Sequence, residues 1–575
     1  MKQKFENWFL LGVVWCGVIG MWMVTAAAPL MPWDDHANTL DNPLVTTAVS
    51  ASQFWHPWFG LFIPATYATW RALFVLSSPD SFVVALRVAN LVGHLVNTLL
   101  VYLICRRAAV QAGHARVTWV AAIAAAVFAW HPLQVGLVSW VSGFRDILST
   151  SLALSASTLL YTAHEAQRPR RRYGFAAAAL VVFVVALLAK PGIAAALIAA
   201  AVCLPLISGT TMRRHTVVTA ALSLIPVGLV AQITWGSQAS TLEFVTPWLW
   251  RPLVMLDAYG YHLFKSLLPI QLGIDQGRTP QEVLALSGLL WPVPLLTIGL
   301  GVGVVGLLGW AARTHRMRAL RLGVAWALLL APVSGMIPFA FQRVSTAADH
   351  YNYAALAVLA LAVVVLSAQV PKRLRPAALA VGVMACVSLL SWSIVQARAW
   401  QSGRALFTHA VAVNPRSSVV WSGLASVECD TGDSRIGLSA ARTAFGLDGA
   451  NPWAVANLAT CAFRLGDAAT ALATLPQARE PALLASLNRD TRSAASFLTA
   501  IGGSLVASGE LVRGWVFVCQ ASMLLPNEPG IRQNLEWLSS EVAQRGVPPR
   551  CPPGLPVSEF LQRDYASAAN AHRFN

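Results

Sequence analysis

The chain has 575 residues, more than one ordinary domain holds, and 56% of them are hydrophobic against 11% charged. A soluble globular chain carries about 25% charged residues, so the composition excludes a soluble enzyme, a disordered segment, a collagen and a disulfide miniprotein, and leaves a polytopic membrane protein. The net charge of +16 then does not imply nucleic acid as a partner, because in a membrane chain basic residues mark cytoplasmic loops.

Taken in chain order, the apolar runs predict eleven spans: 8–29, 81–105, 117–130, 147–162, 173–189, 193–208, 216–235, 287–312, 322–340, 353–370 and 377–396. The first follows Lys2 and Lys4 and is too long for a signal-peptide core, so it is expected to stay as an anchor. Of the 26 Lys and Arg residues before Ala397, 18 fall on one side of an eleven-span arrangement. The positive-inside rule makes that side cytoplasmic. An odd number of spans places the C-terminal part on the opposite face, which is the periplasm for a bacterial inner membrane.

The acids sort the other way. Only Glu6 and Glu165 fall on the basic side; Asp34, Asp35, Asp41, Asp80, Asp146, Glu243, Asp257, Asp275, Glu282 and Asp349 fall on the outer side. Arg71, Arg87, Arg145, Lys190, Arg251, Lys265, Arg278 and Arg343 join them there, with His131 and His350 among six histidines. Ionisable groups at a membrane face are costly unless paired or hydrated, so their clustering points to a site. The blander alternative is a set of solvated loops and helix caps.

Within this set, Asp34-Asp35 directly follow the first span. Such a carboxylate pair suits a general base or a divalent metal ligand, and equally an N-cap or Asx-turn beside Asn38 and Asn42. His131-Pro132 ends one span and Arg145-Asp146 opens the next. Arg87, His94 and Asn97 share one helix face, where His94 is expected to bond a neighbouring helix.

After Ala397 the chain is nearly neutral, with 15 basic and 13 acidic residues. Gly432-Asp433 recurs as Gly466-Asp467 at an offset of 34 residues, with Asn414-Pro415 and Asn451-Pro452 ahead of the units. That is the period of a tetratricopeptide repeat. A weaker third unit carries Gly509-Glu510, and a last helix is expected over 530–543. The chain therefore reads as all-α: a helical membrane domain over 1–396 and an α-solenoid over 397–575. Cys429, Cys461, Cys519 and Cys551 lie in the second part and allow three disulfide pairings; Cys429–Cys461 with Cys519–Cys551 suits stacked neighbouring repeats, and four free thiols suit burial equally well.

The stretches "WDDHANTLDNP", "FAWHPLQVGLVSWVSGFRDILS", "LLAKPGIA", "HLFKSLLP" and "ADHYNYAAL" occur in this order ahead of the repeats. Their order resembles the transmembrane and tetratricopeptide-repeat (TMTC) O-mannosyltransferases and their bacterial relatives, of the GT-C glycosyltransferase superfamily. The resemblance runs from about Trp33 to Leu475. It implies a glycosyltransferase that takes sugar from a polyprenyl-phosphate carrier and passes it to a protein hydroxyl or a glycan, with the repeats as one place for a protein acceptor. Asp34 and Asp35 match the acidic motif that carries the base or metal role. His131, Arg145, Asp146, Lys190, Lys265, Arg278, Arg343, Asp349 and His350 are then the expected substrate and phosphate contacts. Between the two carboxylates, Asp35 is the favoured base, with Trp33 and Pro32 packing Asp34 at the membrane interface. Four positions depart from the family pattern. Gln134 stands where the family has His, Gly136 where it has Glu, Phe144 where a small or charged residue is usual, and His350 where it has Arg. A non-catalytic scaffold with partner-binding repeats, or a surface-polysaccharide ligase or polymerase, are the other classes these residues allow.

Overall fold

The computed structural model describes residues 2–238, 244–285, 306 and 316–563. Among the described residues there is no β-strand; the chain is helical, and it divides into two compact units, Met1–Ala405 and Leu406–Asn575.

The first unit is built on α1 (Lys2–Met23), the short α2 (Asp35–Asn38), α3 (Pro64–Leu76), α4 (Phe82–Gln111), α5 (Val117–Ala129), the five-residue α6 (Val135–Ser139) and α7 (Phe144–Glu165). They are followed by α8 (Pro169–Ala189), α9 (Ala196–Ser208), α10 (Arg214–Leu222), α11 (Leu224–Gln238), α12 (Arg251–Leu267), α13 (Arg316–Leu330), α14 (Ala355–Ser367) and α15 (Arg375–Ala397). Among the described residues six helical stretches are long and apolar enough to cross a membrane: Phe5–Met23, Phe82–Gln111, Pro169–Ala189, Pro191–Ser208, Arg214–Gln238 and Lys372–Trp400. Val117–Ala129 with Pro132–Ser139 makes a seventh if this pair, bent by 48°, counts as one span. The bend sits at His131-Pro132, where proline removes a backbone donor.

The other expected spans differ. The run over 147–162 is inside α7, a 22-residue helix whose start carries Arg145 and Asp146 and whose middle is rich in Ser and Thr. Helix α13 stops at Leu330, ahead of Pro332, so the run over 322–340 is half helix and half irregular. Helix α14 has only 13 residues. The run over 287–312 lies outside the described residues apart from Gly306.

Helix α4 organises the irregular segment between α5 and α7. Arg87, Asn90, His94 and Asn97 recur at spacings of three and four, so they share one helix face, and all are at most 1% exposed. Arg87 donates to Ser139 O at 2.9 Å and to Pro29 O at 2.5 Å. Asn90 donates to Leu137 O and Trp140 O. His94 bonds Ala129 O and the Tyr353 hydroxyl, and Asn97 donates to Ile147 O and the same hydroxyl. Non-helical backbone at membrane depth survives only where its polar groups find partners. These four side chains supply them, and so fix the segment that holds Trp140 and Arg145.

The second unit contains α16 (Ser418–Thr431), α17 (Ser434–Leu447), α18 (Pro452–Arg464), α19 (Thr491–Ala507), α20 (Leu511–Leu524) and α21 (Pro529–Gln544). The recurring Gly-Asp has a local cause. Asp433 and Asp467 are N-caps, their carboxylates accepting from Arg435 N and Thr470 N. Gly466 and Gly509 turn with positive φ, 74° and 90°. Asn451 caps α18 and also donates to Ser418 Oγ on the preceding pair. The second unit's partner to α18 is short, only Ala468–Ala473. The core is formed by Phe497, Leu498, Ile501, Trp515 and Phe517 with their neighbours. Cys429 is bonded to Cys461 and Cys519 to Cys551. The first bridge joins α16 to α18, leading helices of successive units.

Candidate functional site

The first loop folds back as α2. Asp35 is 0% exposed. Its Oδ1 accepts from Ser142 N at 2.8 Å and Ser142 Oγ at 2.7 Å, and its Oδ2 from Met31 N at 2.9 Å. Burial, together with the Asp34 carboxylate beside it, pushes its carboxyl above the usual range. Asp35 is thus a clamp between the first loop and the segment after Trp140. This argues against the expected order of the two carboxylates: the one favoured as base is fully buried and already accepts three hydrogen bonds.

Asp34 has the more open position, with its side chain 12% exposed. It accepts from Asn38 Nδ2 at 3.0 Å and Trp140 Nε1 at 2.9 Å, and pairs with the Arg145 guanidinium at 3.4 Å. Burial raises its carboxyl, and Arg145 pulls the other way. The hydrogen bonds to the two carboxylates come from N–H and O–H donors. A divalent metal needs several oxygen ligands, and among the described residues no group of three or more His, Cys, Asp or Glu could hold one.

Beyond Arg145 the cluster continues. Asp146 Oδ1 pairs with Lys190 Nζ, at the end of α8. Asp146 Oδ2 is buried and has no hydrogen-bond partner, and nor does Arg145 Nε. Arg145 lies over the Trp140 ring, 5.1 Å from its centroid, and Lys190 over the Tyr351 ring at 5.4 Å. Between these rings stands His350, 5.6 Å from Trp140 and 4.4 Å from Tyr351. Asp34, Arg145, Asp146, Lys190 and His350 therefore share one aromatic-walled cluster.

The remaining expected contacts have structural work. Lys265 is 4% exposed and donates to Ile270 O and Gln271 O at 2.6 and 2.8 Å. Asp349 accepts from the Tyr261 hydroxyl, Gly273 N and Gln276 Nε2. Arg278 pairs with Asp257 through both nitrogens of its fork. These three staple the loop over 268–279. His131 is 2% exposed, its Nε2 bonded to Ser266 O and its Nδ1 accepting from Leu133 N, so it ties α12 to the bend after α5. Arg343 is exposed at the end of a 3-10 turn over Ala340–Arg343. Trp140, Ser142, Tyr261 and Tyr351 escape the sequence reading. Trp140, Ser142 and Tyr351 lie inside stretches singled out there, and none of these residue types signals a charge partner by itself.

An apolar groove begins beside the cluster. Its walls come from α7, α9, α13 and α14, and it encloses about 810 Å³ counting the part open to the outside. Thr150, one helical turn past Asp146, lines its upper end, together with Ile193 and Ala354, each three residues past Lys190 and Tyr351. Tyr161 and Ile207 line the lower end, where Arg107 lies over the Tyr161 ring. At about 1.5 Å per residue, Thr150 to Tyr161 spans about 16 Å.

No protein-family model matches this chain, and no curated protein matches it.

Proposed function

We propose that this protein is a membrane glycosyltransferase of the GT-C type. It moves a sugar from a polyprenyl-phosphate carrier to a hydroxyl of a protein or glycan, on the face opposite the basic loops. The observation that carries this reading is the groove of about 16 Å that starts one helical turn from Asp146, below a cluster holding Arg145 and Lys190. A prenyl phosphate has the same two parts, an apolar chain of many carbons and an anionic head. Arg145 and Lys190 bind the phosphate and stabilise the charge it gains as the sugar leaves. Asp34, the more open of the two acids, takes the proton of the attacking hydroxyl. Trp140 and Tyr351 offer ring faces to the sugar.

In this reading eleven spans cross the bilayer and the second unit, a tetratricopeptide-type solenoid, lies in the periplasm of a bacterial cell. Two disulfides in that unit suit an oxidising compartment. The repeats present a protein acceptor to the membrane unit.

Photo-crosslinking tests the placement of the carrier. A prenyl phosphate bearing a photoreactive group in its chain is expected to label α7 and α9 around Leu154 and Ala200, and unlabelled prenyl phosphate is expected to compete. Labelling spread evenly over the outer faces of the spans, with no competition, contradicts it.

A further inference from the structure

His350 occupies an unusual place. Its ring meets Trp140 at 64° and Tyr351 at 68°, and Phe341 closes a third side at 6.0 Å. Each of its first two neighbours carries a cation on its face, Arg145 on Trp140 and Lys190 on Tyr351. The imidazole thus packs against both rings that carry the cations. Neither ring nitrogen has a hydrogen-bond partner among the described residues, and the residue is only half-buried.

The charged groups around it are mostly paired with one another. Arg145 has Asp34 and Lys190 has Asp146. Tyr351 and Asp349 flank the ring on its own turn, Arg343 ends the turn that carries Phe341, and His262 approaches from α12. Burial and the two cations hold His350 well below the ordinary imidazole range, so the empty site keeps it neutral. An anion between Arg145 and Lys190 reverses the local potential and favours the protonated ring.

We propose that His350 is a ligand-binding residue of this site, a third cation created when a phosphate enters, so that donor binding takes up a proton from solvent. This rests on the reading of the cluster as a phosphate site. No covalent step is involved: the proton goes to a free imidazole nitrogen and leaves with the phosphate. The sign follows from linkage. The bound state holds more protons than the empty one, so affinity falls as pH rises, by up to about tenfold per unit for a single proton. A fixed arginine at this position has no such dependence.

The experiment uses the full chain in lipid nanodiscs and a prenyl alkyl phosphodiester, a monoanion that does not itself titrate near neutrality. Calorimetry in buffers of different ionisation enthalpy counts the protons taken up. The wild type is expected to bind with net uptake. His350→Gln is expected to bind several-fold more weakly with no uptake, and His350→Arg to bind with no pH dependence, both with unchanged thermal unfolding. Asp34 and Asp35 also stand near the anion, so uptake that persists in His350→Gln assigns the proton to them and overturns the proposal. Binding by the wild type without uptake overturns it too, while leaving the phosphate site intact. No binding by folded wild-type protein overturns the phosphate site and this proposal together.

Discussion

A Cβ on Gly136 would stand 3.2 Å from Cζ2 of Trp400. Trp400 is 8% exposed and its ring lies 6.4 Å from that of Trp140, so the indole fills the space a larger side chain needs. A side chain here enters only if Trp400 gives way by a few tenths of an ångström. Gly136→Glu is therefore expected to lower thermal stability by overpacking, typically about 1–3 kcal/mol, and by burying a carboxylate. Gly136→Glu with Trp400→Gly is expected to recover part of that loss in a detergent melt. A single Gly136→Glu variant as stable as wild type contradicts this packing.

The two acids of the first loop should separate in mutants. Asp34→Asn removes the base and also the carboxylate that pairs with Arg145, so transfer should fall roughly 10²–10⁴-fold in protein that stays folded, with some loss of stability from the unpaired guanidinium. Asp35→Asn puts an amide N–H against either Met31 N–H or the Ser142 donors. That leaves a buried group unsatisfied, at about 1–3 kcal/mol. It should appear first as lost stability in thermal unfolding. Full stability in Asp35→Asn, with lost transfer, returns the base role to Asp35.

Acid should switch off the proposed transfer earlier than an ordinary aspartate would. As the proposed base Asp34 has to be a carboxylate, and burial raises its folded value above the usual range. Transfer is lost as pH falls through that raised value. Arg145 is the lowering influence, so Arg145→Gln should move the acid limb to higher pH, as well as reduce the rate. A rate profile whose acid limb stays in place, or moves down, contradicts the Asp34–Arg145 coupling.

Much of the fold was legible because its signals are local. The apolar runs located α1, α4, α8, α9 and α15, and the offset of 34 between Gly432-Asp433 and Gly466-Asp467 located two N-caps. The motif residues of the first loop, of 140–146 and of Lys190 do meet. What the sequence could not rank is which charged residues face a ligand. Lys265, Asp349 and Arg278 look like Lys190, Asp34 and Arg145 in a string of letters. Lys265 is held by two backbone carbonyls, and Asp349 and Arg278 are tied to Gly273 and Asp257, contacts made by segments that the letters alone do not bring together. The same holds for Asp35, whose clamp, Ser142, lies 107 positions away.

Reduction should loosen the second unit. Each disulfide closes a separation of 32 residues, for which chain entropy gives about 3–4 kcal/mol. Cys429→Ser with Cys461→Ser should lower the unfolding midpoint of that unit and make its midpoint less sensitive to reductant. A midpoint indifferent to reductant in the wild type contradicts both bridges.

The most direct test of the account is sugar transfer by the purified full-length protein from a prenyl-phosphate donor with a labelled sugar. Wild-type protein is expected to release or transfer the label. Lys190→Ala is expected to lose it through weakened donor binding, and Asp34→Asn to lose it while still binding donor. Folded wild-type protein that binds no prenyl phosphate, or equal label release in all three proteins, contradicts the account.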